Sequence, residues 1–309
     1  MKQIAVIGAG TMGHGIAQLF ASAGLAVSLT DQSSEVLDGA LDCIATSLQT
    51  FLEHDLIPQD EIAATLQRIS KASDLAEAVG PADFIVEAVL ESVEIKHAVL
   101  RATELHCRQD TIITSTTSSF CARDLAPALK CPERFLVTHY WNPPTIIPIV
   151  EVVPGEETRA QVVESTMNLL RDVGKLPALI NRDVPGFVGN RLQHALRREA
   201  IAIVAEGIAS PQDVDLIAKR SFGLRLPVVG PLETADMGGL DLTLAIQAYL
   251  LPELNRSTQP LPLVQEMVER GELGVKTGKG FYEWPADRAR QTIKRRDAAL
   301  IEMIKWLKG

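Results

Sequence analysis

"KQIAVIGAGTMGHGIAQLFASAG", residues 2–24, sets a short apolar, β-branched run directly against a glycine-rich turn and then a helical pattern. Strand, glycine turn, helix is the order that opens a dinucleotide-binding βαβ unit. Within "GAGTMG" (Gly8, Ala9, Gly10, Thr11, Met12, Gly13) each glycine has its own task. Gly8 permits the tight turn, Gly10 lets backbone N–H groups approach a pyrophosphate, and Gly13 lets the helix lie close to the strand. The motif alone is weak, and its context supplies the weight. Gly24 ends the helix, "LAVSLTD" (25–31) reads as a second buried strand, and Asp31 closes it 18 positions after Gly13. A carboxylate there accepts the ribose hydroxyls of an adenosine and repels a 2′-phosphate. Gln32, which follows, supplies no cation to hold that phosphate, so the expected cofactor is NAD rather than NADP.

The alternation continues. "SEVLDGALDCIATSLQTFLEHD" (34–55) has helical apolar spacing, and "PQDEIAATLQ" (58–67) starts another helix. Strands return in "ADFIVEAV" (82–89), "DTIITST" (110–116) and "RFLVTHY" (134–140), with helical segments such as "EIKHAVLRATELH" (94–106) between them. This rhythm implies an α/β Rossmann-type doubly wound domain with a parallel sheet, whose ligand crevice lies at the carboxyl ends of the strands. Glu87, Glu91, Ser115 to Ser119 and His139 all fall at or just past such ends. After "LPALI" (176–180), Pro185 and Gly186 close the strand pattern and everything beyond reads as helix. The expected organisation is an NAD-binding domain over 1–185 and an all-α C-terminal domain over 186–309.

Composition bounds the class. With 309 residues, 46% of them apolar, the chain can bury a sizeable core in about two domains. No apolar run reaches the length of a membrane span, and "MKQIAVIGAGTMG" enters the motif at once, leaving no room for a signal peptide. Cys43, Cys107, Cys121 and Cys131 lie far apart, without a CxxC pair or metal-type clustering with histidine. Reduced thiols, no metal and a cytoplasmic location are expected. A formal net charge of -9 argues against a nucleic-acid partner, and the basic run "RARQTIKRR" (288–296) reads as a solvated helix face.

"VTHYWNPPTIIPIVEVV" (137–153) carries the candidate chemistry. Glu151 follows His139 by 12 positions, with Pro143, Pro144 and Pro148 between them. "NPP" forces a turn and "IPIVEVV" runs on as a strand, so a hairpin-like return could bring the two side chains together. An enzyme acting on an alcohol or carbonyl needs a group that takes the hydroxyl proton and returns it, which histidine does near neutral pH; a carboxylate beside it holds the tautomer. By composition alone His139 fits a hydrogen-bonded core histidine equally well.

Several motifs in order carry a resemblance: "GAGTMG", "VEAVLESVEIK", "TSTTSS", "HYWNPPTIIPIVEVV", "DVPGFVGNRL", "GPLETADMGGLD" and "GVKTGKGFYEW". Together they resemble the L-3-hydroxyacyl-CoA dehydrogenase family nearly end to end. That resemblance implies His139 as acid/base, Glu151 as its partner, Ser118 at the substrate oxygen and nicotinamide, and Asn190 completing the polar shell. It further implies Glu91 and Lys96 near the nicotinamide half, Lys276 reaching the cofactor from the helical domain, and a homodimer built through that domain. Read alone, Lys96 and Lys276 are also compatible with ordinary surface cations.

The departures bear on the substrate. Relatives active on acyl-CoA show "NTSS", "HFFNPV" and a lysine shortly before the glutamate, whereas this chain has Thr116, then Tyr140 and Trp141 after the histidine, and Pro148 in place of that lysine. CoA phosphates need cations, and from Asp31 to Gln67 there is no Lys or Arg but eight carboxylates: Asp31, Glu35, Asp38, Asp42, Glu53, Asp55, Asp60 and Glu61. Weak CoA affinity is expected. "HYWNPPTIIPIVEVV" and "DVPGFVGNRLQHALRREA" also resemble the branch acting on small free acids, which includes L-gulonate 3-dehydrogenases and lambda-crystallin, L-carnitine dehydrogenases and the pyridine-carboxylate 5-dehydrogenase of vitamin B6 breakdown. Tyr140 and Trp141 would wall such a pocket. Imine reduction and a non-catalytic NAD-binding structural protein are the remaining readings.

Overall fold

The computed structural model describes residues 1–308 and divides the chain into two compact units. One is Met1–Asn190 with the chain from Asp297 onward; the other is Arg191–Arg296. Sequence alone assigns the whole C-terminal end to the helical domain, whereas its last turns group with the first unit.

The first unit is one sheet between helices. Its strands are β1 (Gln3–Ile7), β2 (Ala26–Thr30), β3 (Ile69–Lys71), β4 (Phe84–Glu87), β5 (Ile112–Ser115), β6 (Phe135–Tyr140), β7 (Ile149–Pro154) and β8 (Leu176–Leu179), in the order β3–β2–β1–β4–β5–β6–β7–β8. Strands β1 to β6 run parallel. The helices are α1 (Thr11–Ser22), α2 (Ser34–Glu53), α3 (Gln59–Gln67), α4 (Leu75–Val79), α5 (Val93–His106), α6 (Ala122–Leu125) and α7 (Ala160–Asp172). Strand alternation divides the core into two layers. Ile4 and Val6 pack with Phe20, Leu29 and Ile44 on one face, and Ala5 and Ile7 with Ile85 and Leu100 on the other.

Strand β3 is absent from the strands read from sequence, and β7 makes the hairpin-like return expected from it. Strand β3 is three residues long with Ser70 and Lys71 exposed, too short to show a period. Strand β7 returns antiparallel to β6, and β8 runs parallel to β7. The connecting segment 141–148 is proline-broken and shorter than the dozen or so residues that a parallel crossover needs, so the chain turns back instead. That reversal sets His139 directly opposite Glu151 in the register.

Past Pro185 the chain forms α8 (Gly189–Ala205), α9 (Pro211–Arg220), α10 (Phe222–Arg225), α11 (Pro231–Gly238), α12 (Leu240–Leu250), α13 (Pro262–Glu269) and α14 (Ala286–Lys308). Ser210 caps α9 by accepting the Asp213 N–H at 3.2 Å, the Ser-Pro start read from sequence. A loop with β-bridges from Lys279 to Gly274 and to Glu283 joins α13 to α14 where the sequence reads only helix. In the first unit, Glu302 near the end of α14 meets His54 at the end of α2, with Oε1 and Nδ1 3.6 Å apart.

The opening turn separates the three glycines by what surrounds them. Gly8 has φ +98°, and a Cβ there would stand 2.6 Å from the Ala88 carbonyl oxygen. A Cβ on Gly13 would stand 1.8 Å from the Gly8 carbonyl oxygen, while a Cβ on Gly10 would meet nothing within 4 Å. Gly13→Ala should therefore cost about 1–3 kcal/mol of stability by overpacking, and Gly10→Ala should stay within about 0.5 kcal/mol. Thermal unfolding of the two variants checks this; equal losses would contradict it.

Candidate active site

The cradle for a dinucleotide forms where β1 gives way to α1 and β2 ends. The Asp31 carboxylate accepts the Ala9 N–H at 2.8 Å through Oδ2 and the Ser33 N–H at 3.0 Å through Oδ1. Those bonds fix its position and leave about half of its acceptor capacity free. Gln32 is exposed beside it. Helix α1 begins at Gly10 with no side-chain cap and no acidic residue in its first turn, so its first N–H groups and positive dipole end are available to an anion. Open space at Gly10, free helix donors and a fixed carboxylate fit a dinucleotide with an unphosphorylated ribose.

Further along the sheet, His139 and Glu151 project from β6 and β7 on one face. His139 Nδ1 lies 2.7 Å from Glu151 Oε2, and both residues are about 4% exposed. The other oxygen, Oε1, accepts the Val188 N–H at 2.9 Å and the Gly189 N–H at 3.0 Å, so the carboxylate also sits at the N-terminus of α8. Burial pushes the Glu151 carboxyl up, but the hydrogen bonds from His139, Gly189 and Val188 outweigh it and hold the carboxyl below its usual value. An ionised carboxylate only accepts, so Nδ1 carries the hydrogen, and in the neutral imidazole the lone pair is then on Nε2. That is the tautomer of a general base.

Aromatic packing holds the imidazole. The Trp141 ring lies 5.2 Å and the Phe187 ring 5.6 Å from it, centroid to centroid. Phe187 is 1% exposed with φ +49°, a costly conformation for a bulky residue, and it directly precedes the two amides that bind Glu151. A Cβ on Gly189 would stand 2.3 Å from the Trp141 ring, so glycine there lets α8 start against the indole.

A third group gathers at the ends of β4 and β5. Glu91 Oε1 accepts the Thr117 hydroxyl at 2.7 Å and the Ser118 and Ser119 N–H groups at 3.0 Å each. Asn190 Nδ2 donates to the Ser118 carbonyl at 3.2 Å, tying the loop to α8. Burial pushes the Glu91 carboxyl up, but Thr117, Lys96 and the Ser118 amide overcome this and keep it low. Lys96 is 1% exposed and meets Glu87 at 2.9 Å and Glu91 at 3.3 Å. It is therefore no surface cation.

The structure thus brings together His139 with Glu151, and Ser118 with Glu91 and Asn190. Tyr140 corrects the sequence expectation of a pocket wall. Alternation along β6 turns it away from His139 into the core layer of Ile4 and Val6, where it is 3% exposed and burial raises its phenol. Trp141, past the strand end, stays half-buried beside the imidazole. Lys276 is exposed on the bridged loop of the second unit, where it lines a cavity together with Met267 and Phe281. Sequence reading missed the roles of Val188, Gly189 and Phe187, whose only signal is the Pro-Gly turn before a helical pattern. It also missed the partner of Glu87, although a charge inside "FIVEAV" demands one. Among the described residues, no cluster of His, Cys, Asp and Glu could hold a metal ion.

Comparison with known proteins places this chain among Rossmann-type, NAD-dependent oxidoreductases. The NAD-binding domain of 3-hydroxyacyl-CoA dehydrogenase matches residues 3–184 and its C-terminal domain residues 186–284, so the chain belongs to the 3-hydroxyacyl-CoA dehydrogenase family. It is 33% identical to the 5-formyl-3-hydroxy-2-methylpyridine 4-carboxylate 5-dehydrogenase of Mesorhizobium japonicum, over 100% of this chain and 99% of that one. A crystal structure of an enzyme of that activity, described as an NAD+ dependent dismutase, matches with a TM-score of 0.94 at 32% identity, covering 100% and 99% of the two chains. The probable 3-hydroxybutyryl-CoA dehydrogenase of Bacillus subtilis is 36% identical over 92% of this chain and 98% of its own. The (S)-3-hydroxybutyryl-CoA dehydrogenase structure from Ralstonia eutropha has a TM-score of 0.78 at 32% identity, over 92% and 99%. The family's C-terminal model ends at residue 284, before α14.

Glu151→Gln keeps an oxygen for the two amides but offers an NH2 group to Nδ1, which favours the opposite tautomer. Turnover should fall by about 10³–10⁴-fold. Because the folded carboxyl is depressed, its contribution to stability is present above the ordinary value of 4.5 and lost as pH falls through the folded value. Stability lost between about pH 6 and about pH 3 should therefore be smaller in the variant than in the native chain. Steady-state kinetics and denaturant unfolding across pH check both statements.

Proposed function

We propose that this chain interconverts alcohol and carbonyl forms of a compact, CoA-free acid with NAD, a pyridine carboxylate being the favoured substrate class. The observation that carries the reading is charge. Residues 31–67, which include α2 and α3, bear eight carboxylates and no Lys or Arg, and among close charges even screened repulsion disfavours a ligand with a pyrophosphate and a 3′-phosphate. Support comes from the likeness to the pyridine-carboxylate enzyme structure, with a TM-score of 0.94 against 0.78 for the Ralstonia eutropha 3-hydroxybutyryl-CoA enzyme.

In the oxidation direction, His139 Nε2 takes the hydroxyl proton as the carbinol carbon gives up its hydride. Glu151 stabilises the imidazolium that results. Ser118 and Asn190 hold the reacting oxygen, and Trp141 offers a flat face for a ring. When bound, the nicotinamide ring accepts the hydride. Glycines 8, 10 and 13 with Ala9, Thr11 and Met12 receive the pyrophosphate, Asp31 and Gln32 face the adenosine ribose, and Glu91, held by Lys96, faces the nicotinamide half.

A homodimer is part of the proposal. Helices α11 and α12 bury no residue, and Leu232, Met237, Leu244 and Tyr249 are 70% or more exposed. Large apolar side chains left open on two consecutive helices are what a partner copy would cover. Unpaired cysteines support a cytoplasmic location. Among the described residues, no helix is long and apolar enough to cross a membrane.

The test is NAD-linked turnover over hydroxymethyl- or formyl-pyridine carboxylates, free 3-hydroxy acids, carnitine and 3-hydroxybutyryl-CoA. The pyridine compounds should exceed the thioester in kcat/KM by at least about a hundredfold; the reverse order would contradict the proposal. His139→Gln should leave NAD binding within about twofold and lower kcat by about 10³-fold or more. Light scattering on the purified chain should give twice its 33.5 kDa mass.

A further inference from the structure

Beyond the histidine pair, the first unit buries a lysine between two carboxylates. Glu87, at the end of β4, has a fully buried side chain and Lys96 is 1% exposed. Every acceptor position of Glu87 is used: Lys96 Nζ at 2.9 and 3.2 Å, the Ser115 hydroxyl at 2.5 Å and the Val89 N–H at 2.8 Å. Lys96 spends its remaining donors on Glu91 Oε2 at 3.3 Å and the Val89 carbonyl at 3.4 Å. Neither residue has anything left to offer a ligand. Glu91 differs, because its side chain is 35% exposed.

One cation shared by two carboxylates leaves a single negative charge, and the burial pattern puts it on Glu91. Its location follows from the sheet. The order of the parallel strands reverses between β1 and β4, and a dinucleotide lies across such a switch point. Asp31, at the end of β2, takes the adenosine half, so the other half lies over β4 and β5, where Glu91 holds the 117–119 loop.

We propose that Glu87, Lys96 and Glu91 set the charge of the nicotinamide end of the crevice, so that the chain favours the cationic oxidised ring over the neutral reduced one. The proposal rests on the cofactor placement given under the proposed function. Glu91 acts directly by its charge, and Glu87 is a positioning residue that acts through Lys96. If Glu87 lost its charge, Lys96 would be left to neutralise Glu91 alone. A purely structural network would leave the balance between the two cofactor forms unchanged. With the charge in place, hydride donation by the reduced cofactor is favoured on the protein.

The test measures dissociation constants for NAD+ and NADH on the full-length native chain, Glu91→Gln and Glu87→Gln, using NADH fluorescence and its displacement by NAD+. In Glu91→Gln the ratio Kd(NAD+)/Kd(NADH) should rise by about fivefold or more, since glutamine keeps an oxygen for the loop amides while losing the charge. Glu87→Gln should raise the ratio in the same direction with every Glu91 contact to the loop intact. A ratio within about twofold of native in Glu87→Gln, with NADH still bound, overturns the proposal. If Glu91→Gln loses both cofactor forms, Glu87→Gln decides alone. Failure of the native chain to bind NADH would count against the cofactor reading itself, which keeps the two failures apart.

Discussion

Glu151 brings a negative charge to a place where about 4% of the residue is exposed, and the site is arranged around satisfying that charge from two sides. One oxygen takes the imidazole of His139 and the other takes two amides at the start of α8. A buried carboxylate without such partners would protonate or destabilise the fold. With them it fixes the imidazole tautomer and anchors the first turn of the helix that carries Asn190. Asn190 then reaches the Ser118 carbonyl, so the loop after β5 is held to the same helix. His139 and the polar loop are thus coupled through one carboxylate and one helix terminus.

Much of this was legible in the sequence, and for physical reasons. The β-branched run before "GAGTMG", the helix after it and Asp31 at the next strand end each satisfy a separate steric or electrostatic demand, and the structure meets them at Gly8, Gly13 and Asp31. The pairing of His139 with Glu151 was readable because prolines between two apolar runs leave the chain little choice but to double back. Tyr140 shows the limit. Residues 140 and 141 look alike as aromatic neighbours, but β6 includes one and stops before the other, so a difference of one position sends Tyr140 into the core and leaves Trp141 beside the imidazole. Strand ends cannot be fixed to one residue from periodicity. The amides of Val188 and Gly189 were invisible for another reason: a backbone donor has no signature of its own.

Charge organises the rest of the crevice in a graded way. At the end of β2, Asp31 is partly satisfied and partly available. At the end of β4, Glu87 is fully consumed by Lys96, Ser115 and Val89, while Glu91 keeps an exposed edge. The helices after β2 add further carboxylates without a compensating cation before Arg68, the first after Asp31. Such a surface offers backbone donors at the start of α1 and no side-chain cation from Asp31 to Gln67.

The central claim is that Glu151 holds His139 with its hydrogen on Nδ1, leaving Nε2 as the base. Nitrogen-15 NMR of histidine-labelled protein at neutral pH, with the His139 signals assigned by their loss in His139→Gln, tests it most directly. The account predicts a protonated Nδ1 and an unprotonated Nε2 for this residue. An Nε2–H tautomer, or a His139 signal averaging between the two forms as in a free imidazole, would contradict it.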